Sequence, residues 1–107
     1  MIQQITAKQL AARQDAGEHF YLLDVRTPAE HAIAALPASK LIPLNELSVR
    51  FPEIQVPDGH TLVVYCHHGI RSMHAGMLLA QRGFTPLSLG GGIEAWSIEV
   101  DPGVPRY

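Results

Sequence analysis

The chain has 107 residues, of which 47% are hydrophobic and 17% charged, and its formal net charge is −2. That size and balance fit one compact domain over residues 1–107, and they offer no basic field for phosphate backbones, which argues against a nucleic-acid partner. No apolar run approaches about 18 residues, so no membrane span is expected. The opening Met1-Ile2-Gln3-Gln4 lacks a secretory pattern, and a single cysteine permits no internal disulfide, which suits a cytoplasmic location.

In chain order, Gln3-Gln4-Ile5 reads as a short edge strand. Thr6 then caps a helix, with Gln9 completing a capping box before Leu10-Ala11-Ala12, and Gly17 ends it. Phe20 to Val25 is a buried-strand run. Thr27-Pro28-Ala29-Glu30 is a second helix start, with proline at the first helical position. Leu41-Ile42 is a brief strand bounded by Pro43, and Asn45 to Arg50 a short helix. Phe51 to His60 holds two prolines and a Pro57-Asp58-Gly59 turn and should be irregular. Thr61 to Tyr65 is a short, apolar, β-branched strand. A helix from Ser72 ends at Arg82-Gly83, where glycine supplies a left-handed cap. Thr85 to Leu89 is the last strand, and Gly90-Gly91-Gly92 turns into a final helix that begins Ile93-Glu94-Ala95-Trp96.

Strands alternating with helices predict an α/β fold with a mainly parallel sheet covered on both faces. Ligands of such sheets sit beyond the carboxyl ends of the strands. Both polar constellations follow strand ends: Asp24-Val25-Arg26 after the second, and Cys66 to Ser72 after the fourth.

The stretch Cys66-His67-His68-Gly69-Ile70-Arg71-Ser72 contains the lone cysteine. A strand that stops at cysteine, turns through glycine and opens into a helix forms a cradle of inward N–H groups at the positive end of the helix dipole. A sulfur anion is stabilised there, and the thiolate is the reactive form of cysteine. Gly69 allows a positive φ and a close backbone approach. A buried structural thiol is the competing reading, and it fits a cysteine inside a strand better than one at a strand's carboxyl end. Arg71 serves either as part of the cradle or as an ion-pair partner of Asp24 or Glu30.

His67 and His68 are expected on the rim of the loop, touching substrate or acceptor. A metal site with Cys66 and His74 is disfavoured, because consecutive residues of a tight loop rarely converge on one ion. His19, His31 and His60 read as surface residues. Asp24 and Arg26 could orient the loop or a substrate; the structural alternative, Asp24 capping backbone donors and Arg26 pairing with Glu30, is favoured. Ala75, Gly76 and Leu79 form a close-packing helix face. Met73, Met77 and Trp96 are assigned to the core.

Taken together, these residues resemble a single-domain rhodanese over nearly the whole chain. The resemblance rests on Leu23-Asp24-Val25-Arg26 with Glu30, Ile42-Pro43-Leu44, Val64-Tyr65-Cys66 through Arg71-Ser72, Ala75, Leu79, Gly83-Phe84 and Gly91-Gly92-Ile93-Glu94-Ala95-Trp96. It implies a rhodanese-like three-layer sandwich with a five-stranded, mainly parallel sheet. It also implies sulfane-sulfur transfer, with Cys66 as nucleophile, residues 67–71 as the N–H cradle and Arg71 as an anion-binding residue. One stretch departs: where the family commonly has Gly-His-Ile-x-Gly-Ala, this chain has Ala34-Ala35-Leu36-Pro37-Ala38-Ser39.

Loop length separates related chemistries. Cysteine phosphatases place five residues between Cys and Arg, whereas residues 67–70 alone lie between Cys66 and Arg71, which suits a terminal sulfur better than a phosphate. With no second cysteine, a Cys66 persulfide must pass its sulfur outward. The expectation is therefore a sulfurtransferase with a small-molecule donor such as thiosulfate, an external thiol, cyanide or protein acceptor, and no cofactor. A partner-binding module with a redox-sensitive Cys66 is the alternative.

Overall fold

The computed structural model describes residues 2–107. Five strands form one parallel sheet: β1 (Gln4–Thr6), β2 (His19–Asp24), β3 (Lys40–Leu41), β4 (His60–Tyr65) and β5 (Leu87–Gly90), in the spatial order β1-β5-β4-β2-β3. Between them run α1 (Ala7–Asp15), α2 (Pro28–Ile33), α3 (Leu47–Arg50), α4 (Ile70–Gln81) and, last, α5 (Gly92–Glu99).

The expected capping box forms at Thr6 and a second one forms at Thr27: the two hydroxyls accept from the N–H groups of Gln9 and Glu30, whose side chains reach back. Each box satisfies backbone donors that a helix start leaves unpaired, which is why α1 and α2 begin where they do. Gly83, at φ +92°, follows the last residues of α4 as expected. The fourth helix starts at Ile70, two residues before the expected Ser72, because Gly69 takes the left-handed cap position and lets the loop turn straight into helix.

Alternation along β4 sorts its side chains between the two faces of the sheet. Val63 and Tyr65 enter a core with Ile5, Leu10, Leu22, Leu89, Ile93 and Trp96, beneath α1 and α5. Leu62, Val64 and Cys66 enter the other, with Leu23, Val25, Leu47, Ala75 and Leu79, beneath α3 and α4. Period-two geometry thus hands the sulfur to the α4 face. Trp96 is a core residue, as expected. Met77 is not: it is 51% exposed, because the buried stripe of α4 runs through Ser72, Ala75, Gly76 and Leu79 and turns Met77 outward. Gly76 lies under Ile2, where an added Cβ would sit 3.0 Å from a side-chain carbon.

Candidate active site

Cys66 is the first residue past β4 and is 1% exposed. Its Sγ accepts the N–H of Gly69 at 3.1 Å and that of Ser72, in the first turn of α4, at 3.4 Å. The Ser72 hydroxyl lies 3.6 Å from the sulfur and 2.7 Å from the Ser88 hydroxyl. From behind, the start of α5 secures the loop: Ile93 N–H donates to the Cys66 carbonyl at 2.9 Å and Glu94 N–H to that of His67 at 3.1 Å. With those carbonyls held outward, N–H groups face the sulfur. The cradle is a product of two helix starts, one aimed at the sulfur and one at the loop's carbonyls.

Arg71 resolves one of the open alternatives. Its Nη1 and Nη2 meet Glu30 Oε1 and Oε2 at 2.7 and 3.0 Å, a bidentate pair between α4 and α2. The guanidinium holds the Glu30 carboxyl well below the usual carboxylate range, against the opposing effect of burial. Arg71 remains about a third exposed, at 35% of its side chain, so an anion at the loop can still reach it.

Asp24 and Arg26, by alternation, fall on the face away from the sulfur. Arg26 pairs with Asp24 and not with the Glu30 carboxylate: Nε and Nη2 meet Oδ1 and Oδ2 at 2.9 and 2.7 Å, both side chains fully buried. Proximity decides this, since the Asp24 carboxylate also accepts the Arg26 N–H at 2.9 Å. Burial pulls the guanidinium pKa down, but Asp24 and Tyr107 more than restore it. The departing stretch 34–39 is tied to the same cluster. Arg26 Nη2 donates to the Ala34 carbonyl at 2.6 Å, and the Tyr65 hydroxyl accepts Leu36 N–H at 3.1 Å.

Two participants escaped the sequence reading. His31, taken as an ordinary surface residue, places Nδ1 2.8 Å from Asp24 Oδ2, because one turn of α2 returns it over the end of β2. Tyr107 stacks on the His67 ring at 4.0 Å, and its hydroxyl accepts from Arg26 Nη1 and donates to Glu30 Oε2, each at 2.7 Å. Neither sits in a local pattern. His67, between the rings of His68 and Tyr107, has its pKa lowered by desolvation and then by His68. His68 and Ile70 lie on the exposed rim. Among the described residues, no three His, Cys, Asp or Glu side chains are grouped to hold a metal ion, and no helix is long and apolar enough to cross a membrane.

A cavity of 550 Å³ opens at the amino edge of the sheet beside His60, Thr61 and Thr85. A smaller cleft of 360 Å³ lies at the carboxyl edge, between Val25, Thr27, Pro43, Leu44, Asn45 and Arg71. Strand polarity outranks volume here, because sheets of this kind bind ligands at their carboxyl ends.

The family model described as "Rhodanese-like domain" matches residues 6–99. The chain belongs to the rhodanese-like family. A sulfurtransferase of Allochromatium vinosum is 37% identical, over 91% of this rhodanese-like chain and 90% of its own length. The adenylyltransferase and sulfurtransferase MOCS3-1 of Zea mays is 39% identical over 96% of the chain, which spans 23% of that relative's length. Among solved structures, a rhodanese-related protein of Thermoplasma volcanium superposes with a TM-score of 0.82 at 32% identity, covering 96% and 97% of the two chains. Family and relatives support sulfur transfer as the general activity of this rhodanese-like domain, on the five-stranded parallel fold that the sequence predicted.

Proposed function

We propose that the protein moves sulfane sulfur through a persulfide on Cys66. The carrying observation is the pair of N–H groups, from Gly69 and Ser72, that converge on Sγ at 3.1 and 3.4 Å where the loop opens into α4. Such donors favour negative charge on sulfur, both in the starting thiolate and in the persulfide anion.

In the first step, the Cys66 thiolate attacks the outer sulfur of a donor such as thiosulfate. A new S–S bond forms, the old one breaks, and its electron pair leaves with sulfite. Arg71 and the loop N–H groups hold the anionic donor. In the second step, an external thiolate, cyanide or a protein acceptor attacks the terminal sulfur and Cys66 leaves as thiolate. A pre-formed thiolate requires no separate general base, and the one cysteine in the sequence leaves resolution to an outside nucleophile.

Intact mass before and after thiosulfate tests this reading. A gain of about 32 Da, removed by cyanide and absent from Cys66→Ser, is the covalent intermediate expected of nucleophilic catalysis. No adduct with thiosulfate, mercaptopyruvate or polysulfide would overturn it and favour a partner-binding module.

A further inference from the structure

Tyr107 occupies a link between two arginines that otherwise lie apart. Buried Arg26 donates to the phenol oxygen, the phenol donates to Glu30 Oε2, and Glu30 holds Arg71, the residue before Ser72 of the sulfur cradle. The phenol stays protonated at neutral pH: burial chiefly, and the Glu30 carboxylate, push its pKa up to about 12 against the pull of Arg26. It is therefore a fixed donor to Glu30, made stronger by the cation behind it.

Glu30 is heavily shared. Oε1 accepts from Arg71 at 2.7 Å and from Thr27 N–H at 3.1 Å; Oε2 accepts from Tyr107 at 2.7 Å and from Arg71 at 3.0 Å. A carboxylate oxygen engaged by one strong donor offers less charge to a second. On Oε2, the phenol has the shorter contact and the guanidinium the longer.

We propose that Tyr107 is a positioning residue that weakens the hold of Glu30 on Arg71 and so sets how far the guanidinium charge is available to an anion approaching Cys66. This rests on the preceding reading only in taking Arg71 as the anion-binding group. Without the hydroxyl, Glu30 closes fully on Arg71, and the site discriminates less in favour of anionic reactants.

The test is the ratio of Cys66 alkylation rates by iodoacetate and iodoacetamide, which differ in charge and little in size. Tyr107→Phe keeps the ring on His67 and removes only the hydroxyl. The expected result is a fall of about threefold or more in the iodoacetate/iodoacetamide ratio, the low end of the net worth of one hydrogen bond, with the iodoacetamide rate unchanged. Glu30→Gln raises the ratio by releasing Arg71. With Arg71→Met already in place, Tyr107→Phe leaves the ratio where it was. An unchanged ratio in Tyr107→Phe overturns the proposal; so does an equal fall with Arg71 already replaced, which would route the effect through His67. Should the phenylalanine variant fold poorly, Glu30→Gln carries the test, and an unchanged ratio there overturns the proposal. Alkylation needs no sulfur transfer, so a protein that forms no persulfide would refute the proposed function while leaving this result readable.

Discussion

Gly92 lies directly beneath the carbonyl of His67, with no room for a side chain between them. A Cβ there would collide with that oxygen and approach the Cys66 carbonyl to 2.5 Å, and the backbone φ of +60° is one that L-residues seldom adopt. Both obstacles are backbone, so neither can rotate away. Gly92→Ala should destabilise the fold by about 2 kcal/mol or more, on the order of 10 °C in Tm, and slow persulfide formation by shifting the loop. Gly17→Ala is the control: φ is +91° but nothing lies within 4 Å, so calorimetry should show strain alone, about 1 kcal/mol.

The Asp24–Arg26 pair is wholly buried, so breaking it strands a charge. Arg26→Met should cost about 3–5 kcal/mol in urea unfolding. Arg26→Lys restores the charge but not the fork that meets both carboxylate oxygens, and should recover only part of the loss. A loss under 1 kcal/mol in Arg26→Met would show that His31 and Tyr65 suffice for Asp24.

Ser72 touches the sulfur twice, by its N–H at 3.4 Å and its hydroxyl at 3.6 Å. Ser72→Ala removes the second and leaves the first. Single-turnover persulfide formation should slow by roughly three- to tenfold, less than the loss typical of a well-aligned oxyanion donor. An unchanged rate would assign the hydroxyl to its contacts with the Gly69 carbonyl and Ser88.

Glu30 carries the pH dependence. Its folded pKa lies below the ordinary 4.5, chiefly through Arg71, so the unfolded chain takes up the proton first and stability rises with pH in that range. The contribution is complete above about pH 5 and is lost as pH falls from there toward the folded pKa. Glu30→Gln should be less stable at neutral pH, and its stability should fall less steeply between about pH 5 and 3. Parallel curves for the two proteins would show that the ion pair contributes nothing.

Local chemistry made much of this legible. Threonine three residues before Gln9 gave the first capping box, Thr27 before Pro28 gave the second helix start, short apolar runs gave the central strands, and a cysteine at a strand's carboxyl end before Gly69 gave the cradle. Contacts that span the chain were not legible. The Tyr107 hydroxyl meets residues 77 and 81 positions earlier in sequence, and no periodicity encodes that reach. Arg71 offered two acidic partners on paper, and the placement of α2 beside α4 chose Glu30 over Asp24. Arg26 was assigned to Glu30 by helical spacing, but alternation at the end of β2 brings it onto Asp24 first. Met77 lies off the Ala75, Gly76 and Leu79 face that the sequence does show, and apolar character alone does not bury a second stripe.

The pairing of β1 with β5 has a consequence in time. Gln4 lies opposite Ser88, and β5 is in turn the neighbour of β4, whose last residue precedes Cys66. During synthesis the first strand must wait for almost the whole chain before it has a partner. Closure over so long a loop is the slow kind of folding event. The Cys66 thiol, although encoded mid-chain, acquires its finished surroundings only once β5 and the start of α5, which hold its loop and Ser72, have been made. Until then, a nascent chain carries a cysteine without its cradle.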